Sequence, residues 1–293
     1  MDTLTIFRRA VGWRFHNRIT IAVTLLQPML WLVLYSLTAG PAMKLQGIEN
    51  YTAFLFPGLV VLVSFSACGS GGMMNYMMKA DGSFYRILTA PVRRGSIVLG
   101  QMLEAVLCSL FEVAVMAVIS LFFSVKFPQP PGCLVLLLVL AGCGAFLAAG
   151  LSYGISLALP NEMIYETAMN ALALPVFFLS AALFPASQAQ GVLGILIRLN
   201  PFTYLIGSMR ALMVRGEIHP RETAAVILGF LLLGVLAFRW SAGLLEKETR
   251  RETAATPPRN PAEILPSRHR KRPRKTGSSV HSSVFPRPFF LFI

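Results

Sequence analysis

The stretch Lys79-Ala-Asp-Gly-Ser-Phe-Tyr-Arg-Ile-Leu-Thr-Ala-Pro-Val-Arg-Arg-Gly-Ser96 is the only long charged segment between two apolar runs in the first half of the chain. Gly82 and Pro91 bracket residues 83–90, which suit about two helical turns. Phe84, Ile87 and Leu88 fall at i, i+3 and i+4 and share one face, whereas Arg86 points elsewhere. A short amphipathic helix held between two membrane-spanning runs can transmit a push from a soluble partner. Taken alone, the stretch also reads as a solvated connector whose arginines keep it on the cytoplasmic side.

The rest of the composition is that of a membrane protein. Of 293 residues, 55% are apolar and 13% are charged, with a mean hydropathy of +0.64. A soluble domain carries about a quarter charged residues, so most of this chain faces lipid. The net charge of +13 collects at the N-terminus, in the loop above and after Glu246. Cys68, Cys108, Cys133 and Cys143 lie in or beside apolar runs without metal-ligand spacing, and read as small buried hydrophobes. No cleavable signal is expected, because the first apolar run begins after Arg18 and is too long.

Hydropathy predicts an all-α integral membrane protein with about six spans, approximately 19–40, 51–78, 97–125, 132–159, 167–184 and 224–244. Residues 2–18 form an amphipathic interfacial helix, with Leu4, Phe7, Val11 and Phe15 on one face, Arg9 and His16 opposite, and Trp13 suited to a headgroup boundary. The run Ser66-Ala-Cys-Gly-Ser-Gly-Gly72 and the pair Gly150/Gly154 are small-residue packing seams. Lys126 to Pro131 closes the third span, and residues 160–166 make a short acidic turn. Between 186 and 223, Asn200-Pro201 divides two apolar runs that Arg198 and Arg210 interrupt. One straight span there would place two arginines in lipid at about 2.5–3.5 kcal/mol each, so two short helices at the outer boundary are expected.

Arg8, Arg9, Arg14, Arg18, Lys79, Arg86, Arg93, Arg94 and the C-terminal tail fall on one side of a six-span drawing, which makes both termini cytoplasmic. Arg198, Arg210, Arg215 and Arg221 lie on the other side against that rule. Two domains follow, a membrane-spanning region over 1–248 and a basic, disordered tail over 249–293. The tail's densest stretch, Arg268-His-Arg-Lys-Arg-Pro-Arg-Lys275, could bind anionic lipid headgroups or, less specifically, nucleic acid, but reads first as a disordered tail that keeps the C-terminus inside.

No histidine lies within an expected span, so a metal-assisted or histidine-activated chemistry at depth has no group to run on. Gly69-Ser70-Gly71 superficially matches the serine motif of rhomboid proteases, but its serine lacks an activating base. No GxxxxGK[ST] occurs, so no P-loop is present, and neither a catalytic residue, a metal ligand nor a bound cofactor is expected. Gln101, Glu104, Cys108 and Glu112 make one polar stripe on the third span. Glu112 either lines a route for substrate or makes an interhelical hydrogen bond; Glu104, nearer the charged loop, can snorkel; Asn170 on the fifth span is a weaker polar-lining candidate.

Three stretches together, Gly82 to Arg94 with Ile97-Val-Leu-Gly-Gln101, Phe178 to Pro185, and Leu199-Asn-Pro-Phe-Thr-Tyr204 with Met209-Arg-Ala-Leu212, resemble the permease subunits of type-2 ABC exporters. The resemblance is in particular to the branch of daunorubicin resistance and its nodulation-export and polysaccharide-export relatives, over residues 1 to about 245. The resemblance implies a six-span half-transporter that dimerises, exports a hydrophobic or amphipathic drug, lipid or lipid-linked saccharide, and is energised by a separate P-loop ATPase holding the ATP and Mg. It implies that the N-terminal helix and the 79–96 loop (Asp81, Phe84, Arg86, Ile87, Leu88, Pro91, Arg93, Arg94) contact the ATPase. It further implies that residues 187–213, with Asn200, Pro201, Phe202, Tyr204 and Arg210, cap the path on the outer side of the plasma (inner) membrane. Asp81-Gly-Ser-Phe84 departs from the acidic residue followed by Phe-Gly that branch members often carry. The rival reading, a secondary transporter or channel working without an ATPase, would predict repeated halves, and residues 1–125 and 126–245 show no such similarity.

Overall fold

The computed structural model describes residues 2–16, 18–44, 48, 50–89, 92–123, 125, 131–183, 190–216 and 218–255. The expected roles of Pro91, of Lys126 to Pro130, of residues 184–189 and of the tail beyond Ala255 lie outside these residues, as do those of the Trp13, Phe15, His16 and Arg18 side chains. Residues 1–252 form one compact unit.

The described residues are built mainly into helices. They are α1 (Asp2–His16), α2 (Arg18–Thr38), α3 (Gly40–Lys44), α4 (Tyr51–Ala80), α5 (Ser83–Thr89), α6 (Arg94–Leu121), α7 (Pro131–Ala158), α8 (Glu162–Phe178), α9 (Gly191–Leu199), α10 (Pro201–Arg210) and α11 (Pro220–Ala255), with a π-helical turn at Ala211–Arg215 after α10. By length and composition α4, α6, α7 and α11 can each cross a membrane. The α9–α10 pair, bent by 80° at Asn200, adds a fifth candidate if counted as one broken span. The apolar part of α2 over Pro28–Thr38 is shorter, and α8 has 17 residues, so the described helices give four or five spans rather than six.

α8 differs most from the sequence expectation. It begins at Glu162, inside the expected acidic turn, because the Asn161 side chain accepts from Ile164 N–H at 2.9 Å and Glu162 sits in the first turn, where a carboxylate favours the helix N-terminus. It stops at Phe178, three residues past Pro175. There Asn200, from the loop between α9 and α10, donates to Val176 O at 2.8 Å and Leu179 O at 3.0 Å, which satisfies carbonyls that the next helical turn would otherwise have used.

α4 is the axis of the bundle. It packs against α2, α6, α7, α8 and α10, and among the candidate spans it is the most enclosed, α11 the least. Its small-residue run is a seam: Gly72 faces Tyr165 and Ser152 with no room for a Cβ, and Gly71 lies against Ala105. α7 meets α11 through Gly150 and Gly154; a Cβ on Gly150 would stand 2.8 Å from Ala237 Cβ, and the Ser241 hydroxyl donates to Gly150 O at 2.7 Å. Gly150→Val must therefore push two backbones apart, and is expected to lower stability by about 1–3 kcal/mol. A melt of the purified variant in detergent checks this; an unchanged midpoint would mean that the seam is not close-packed.

Candidate functional site

At one end of the bundle α4, α5, α1, α6 and α11 come together. Gly82, at φ +74, takes the left-handed conformation that glycine adopts without a Cβ penalty, and turns the chain out of α4. The Ser83 backbone N–H then donates to Asp81 Oδ1 at 2.8 Å. Hydrogen bonds from Ser83, side chain first and then backbone, hold the Asp81 carboxyl below its ordinary value, and the charges of Arg86 and Arg9 act in the same direction. α5 buries Phe84 and Leu88, half-buries Ile87, and leaves Tyr85 and Arg86 exposed. Arg94 donates to Leu88 O at 2.7 Å and ties the end of α5 to the start of α6, while Arg93 is exposed.

α11 reaches the same end. At about 1.5 Å per residue it is roughly 54 Å long, well beyond a hydrocarbon core of about 30 Å. Its last turns bring Glu248 to Lys79, Nζ to Oε1 at 2.7 Å, and Lys79 lies 5.2 Å from the Phe84 ring centroid. With both side chains about a quarter exposed, this pair holds geometry more than it adds stability.

α1 lies along α6. A Cβ on Gly100 would meet Ile6 and the Thr3 carbonyl, so α1 lies close against that helix. Its inner face is rotated from the sequence expectation: Thr3, Ile6, Phe7, Ala10, Val11 and Arg14 are half-buried, whereas Leu4 is exposed together with Arg8 and Arg9. The rotation carries Arg14 into the bundle.

There Arg14 meets the polar stripe of α6. Its Nε lies 3.4 Å from Glu104 Oε1, and the two side chains are 11% and 5% exposed. Its Nη2 donates to Ala67 O of α4 at 2.9 Å and to the Ser70 hydroxyl. Cys108 Sγ donates to the same Glu104 oxygen at 3.3 Å. Glu104 therefore does not snorkel toward water: a buried carboxylate needs a counter-charge, and α1 supplies one. Likewise Arg14 is not one more surface charge on the cytoplasmic side. Gln101 and Glu112 are buried on the same stripe, and Ser109 pairs with Ser64 of α4 at 3.0 Å. Asn170 is not brought to this interior; it is exposed on α8.

A second polar cluster, with no signal in the apolar periodicity, joins α4 to α7 and α8. Ser152 donates to Cys68 O at 2.6 Å, Tyr165 donates to Gly69 O at 2.8 Å, and the two hydroxyls lie 2.8 Å apart. One turn on, Asn75 Nδ2 donates to Ser156 Oγ at 2.7 Å.

At the other end, the Asn-Pro-Phe-Thr-Tyr motif builds the break between α9 and α10. Besides its two bonds to α8, Asn200 accepts from Phe202 N–H at 3.0 Å, and Pro201 takes the first position of α10, where its missing N–H costs nothing. Phe202 is buried between the Phe65 and Phe230 rings, and the Tyr204 hydroxyl donates to Arg198 O at 3.0 Å. Arg210 donates to Phe54 O at 3.1 Å, Ala181 O at 2.7 Å and Ala182 O at 3.2 Å, with its guanidinium 3.5 Å from the Phe54 ring centroid. Its charge is met by carbonyls and a ring face, not by lipid.

Long apolar helices gathered around α4, with an amphipathic helix and a charged connector packed at one end, define a multi-pass helical membrane protein. The profile of the ABC-2 type transporter family matches residues 1–214, and the chain belongs to that family. It is thus the membrane-spanning transport subunit of an ABC transporter, and membership implies an ABC ATPase subunit as partner. The chain is similar to proteins named as a transport permease, ycf38: 28% identical to that of Cyanophora paradoxa over 66% of this chain and 68% of the relative, and 29% identical to that of Porphyra purpurea over 65% and 66%. It is also 24% identical to Nodulation protein J of Rhizobium leguminosarum bv. trifolii, over 86% of this chain and 95% of the relative.

Proposed function

We propose that this chain is one half of an ATP-driven exporter, in which two copies form the path for a hydrophobic or amphipathic substrate such as a drug, a lipid or a lipid-linked saccharide. A separate ATPase, holding the ATP and Mg, docks on the end formed by α1 and α5. That end faces the cytoplasm, both termini lie there, and α2 and α8 complete six spans of a plasma (inner) membrane protein. The bent pair α9–α10 caps the outer mouth. Glu112 and Gln101 line or brace the path, and Asn170 faces the second copy or lipid.

One observation carries the docking assignment. α5 spends its apolar face on α4 and turns Tyr85 and Arg86 outward; Arg86 and the exposed Arg9 of α1 both act on Asp81, and Arg93, just before α6, is exposed as well. A short helix anchored from behind, with an aromatic and several cations in front, fits a protein surface carrying carboxylates. The test is co-purification of the tagged full chain with a P-loop ATPase from its own host. Arg86→Glu is expected to reduce the retained ATPase by at least about tenfold, the scale of losing one well-placed interfacial charge contact, with an unchanged melt of the permease itself. Full retention by the variant, or no ATPase with the native chain, overturns the reading.

A further inference from the structure

We propose that Arg14 is a positioning residue for transport: it carries displacement of α1 into the middle of α4, from which the hydroxyls of Ser152 and Tyr165 pass it to α7 and α8. This rests on the docking of the ATPase against α1 and α5 proposed above.

Three consecutive carbonyls of α4 are each taken by a side chain from a different helix: Ala67 O by Arg14 of α1, Cys68 O by Ser152 of α7, and Gly69 O by Tyr165 of α8. Helix carbonyls are ordinarily spoken for by the amide four residues on. Side chains reach these three because the next turn, Gly69-Ser-Gly-Gly72, has almost no side chains to shield them. Gly72 in particular has the Tyr165 and Ser152 hydroxyls where a Cβ would stand. One turn of α4 is thus gripped from three sides, and only one of the grips comes from the helix whose outer face carries Leu4, Arg8 and Arg9 into the open.

Packing alone does not require this grip. An apolar side chain at position 14 would fill the space without the desolvation cost of a buried charge. A guanidinium adds a planar fork that holds two helices at once, here Glu104 on α6 through Nε and Ala67 O on α4 through Nη2, which the single ammonium of lysine does not reproduce. α1 can therefore not slide along α6 without drawing on α4 at the turn where α7 and α8 are also attached.

The experiment uses the full permease–ATPase complex in nanodiscs, with one of two reporter cysteines, Leu4→Cys on the outer face of α1 or Met163→Cys at the exposed start of α8. The rate of maleimide labelling is measured with and without ATP plus orthovanadate; the four native cysteines are buried, and a complex without a reporter supplies the background. In the native complex both reporters are expected to change rate on nucleotide trapping. In Arg14→Gln and in Arg14→Lys, the change at position 4 persists and that at position 163 is lost. Tyr165→Phe removes only the hydroxyl on Gly69 O and is expected to give the same split, so the test stands even if Arg14→Gln does not fold. A response at position 163 that survives in Tyr165→Phe and Arg14→Lys overturns the proposal while leaving the docking intact. Failure of any ATPase to assemble removes the docking reading, and this proposal with it.

Discussion

Glu104→Ala is expected to destabilise the purified protein by about 3–5 kcal/mol, the cost of stranding the other member of a buried ion pair. Arg14 would keep its bonds to Ala67 O and Ser70 but lose the carboxylate 3.4 Å from its Nε, with its side chain 11% exposed. The paired replacement of Arg14 and Glu104 by methionine should recover most of that loss, because two apolar side chains of similar volume can pack as well as a buried pair. Thermal or denaturant melts of the single and double variants in one detergent decide it. If Glu104→Ala costs no more than about 1 kcal/mol, the value of an exposed pair, then Arg14 and Glu104 reach water and α1 is not tied into the bundle as described.

Arg210→Ala is expected to cost about 3 kcal/mol or more, since charge-assisted hydrogen bonds contribute about 1.5–3 kcal/mol each and do not add fully. Arg210 meets carbonyls from two places, Phe54 near the start of α4 and Ala181–Ala182 just past α8, while its guanidinium covers the Phe54 ring. Without it the Ala181 and Ala182 carbonyls, in the turn after α8, have no following helical turn to accept from. Gly58, against Ala182 with no room for a Cβ, depends on the same close approach. Arg210→Lys should restore less than half of the loss, because a point charge cannot serve carbonyls of α4 and of the turn after α8 at once as a fork does. A lysine variant that melts with the native protein would show that charge, not geometry, holds this end.

The helix on which docking depends was readable because its pattern is local. Three apolar residues at i, i+3 and i+4 between a glycine and a proline give a face without reference to anything distant, and Phe84 and Leu88 are 2% and 6% exposed. Asn200-Pro201 was equally legible as a break, since a capping side chain followed by proline starts a new helix wherever it stands. Contacts between distant residues were not legible. Arg14 reads in sequence as one more cytoplasmic cation, and its partner is 90 positions away; the available signal was that a carboxylate amid α6 has to find a cation somewhere. The three-sided grip on α4 is invisible for a similar reason, because serine and tyrosine on apolar helices give no hint of which carbonyl they will meet. The start of α8 is hidden because Glu162 and Glu166 read as an acidic turn, whereas the Asn161 side chain caps a helix there. Asn170 shares no helix face with the stripe on α6, and its polarity alone could not say which way it points.

The central claim is that a separate ATPase meets this chain on the end formed by α1 and α5. A photo-crosslinking amino acid placed at Tyr85, 43% exposed, and separately at Leu193 of α9, 48% exposed, tests it in membranes that contain the whole transporter. A covalent adduct with the ATPase chain is expected from position 85 and none from position 193. An ATPase adduct from position 193 with none from position 85 would contradict it.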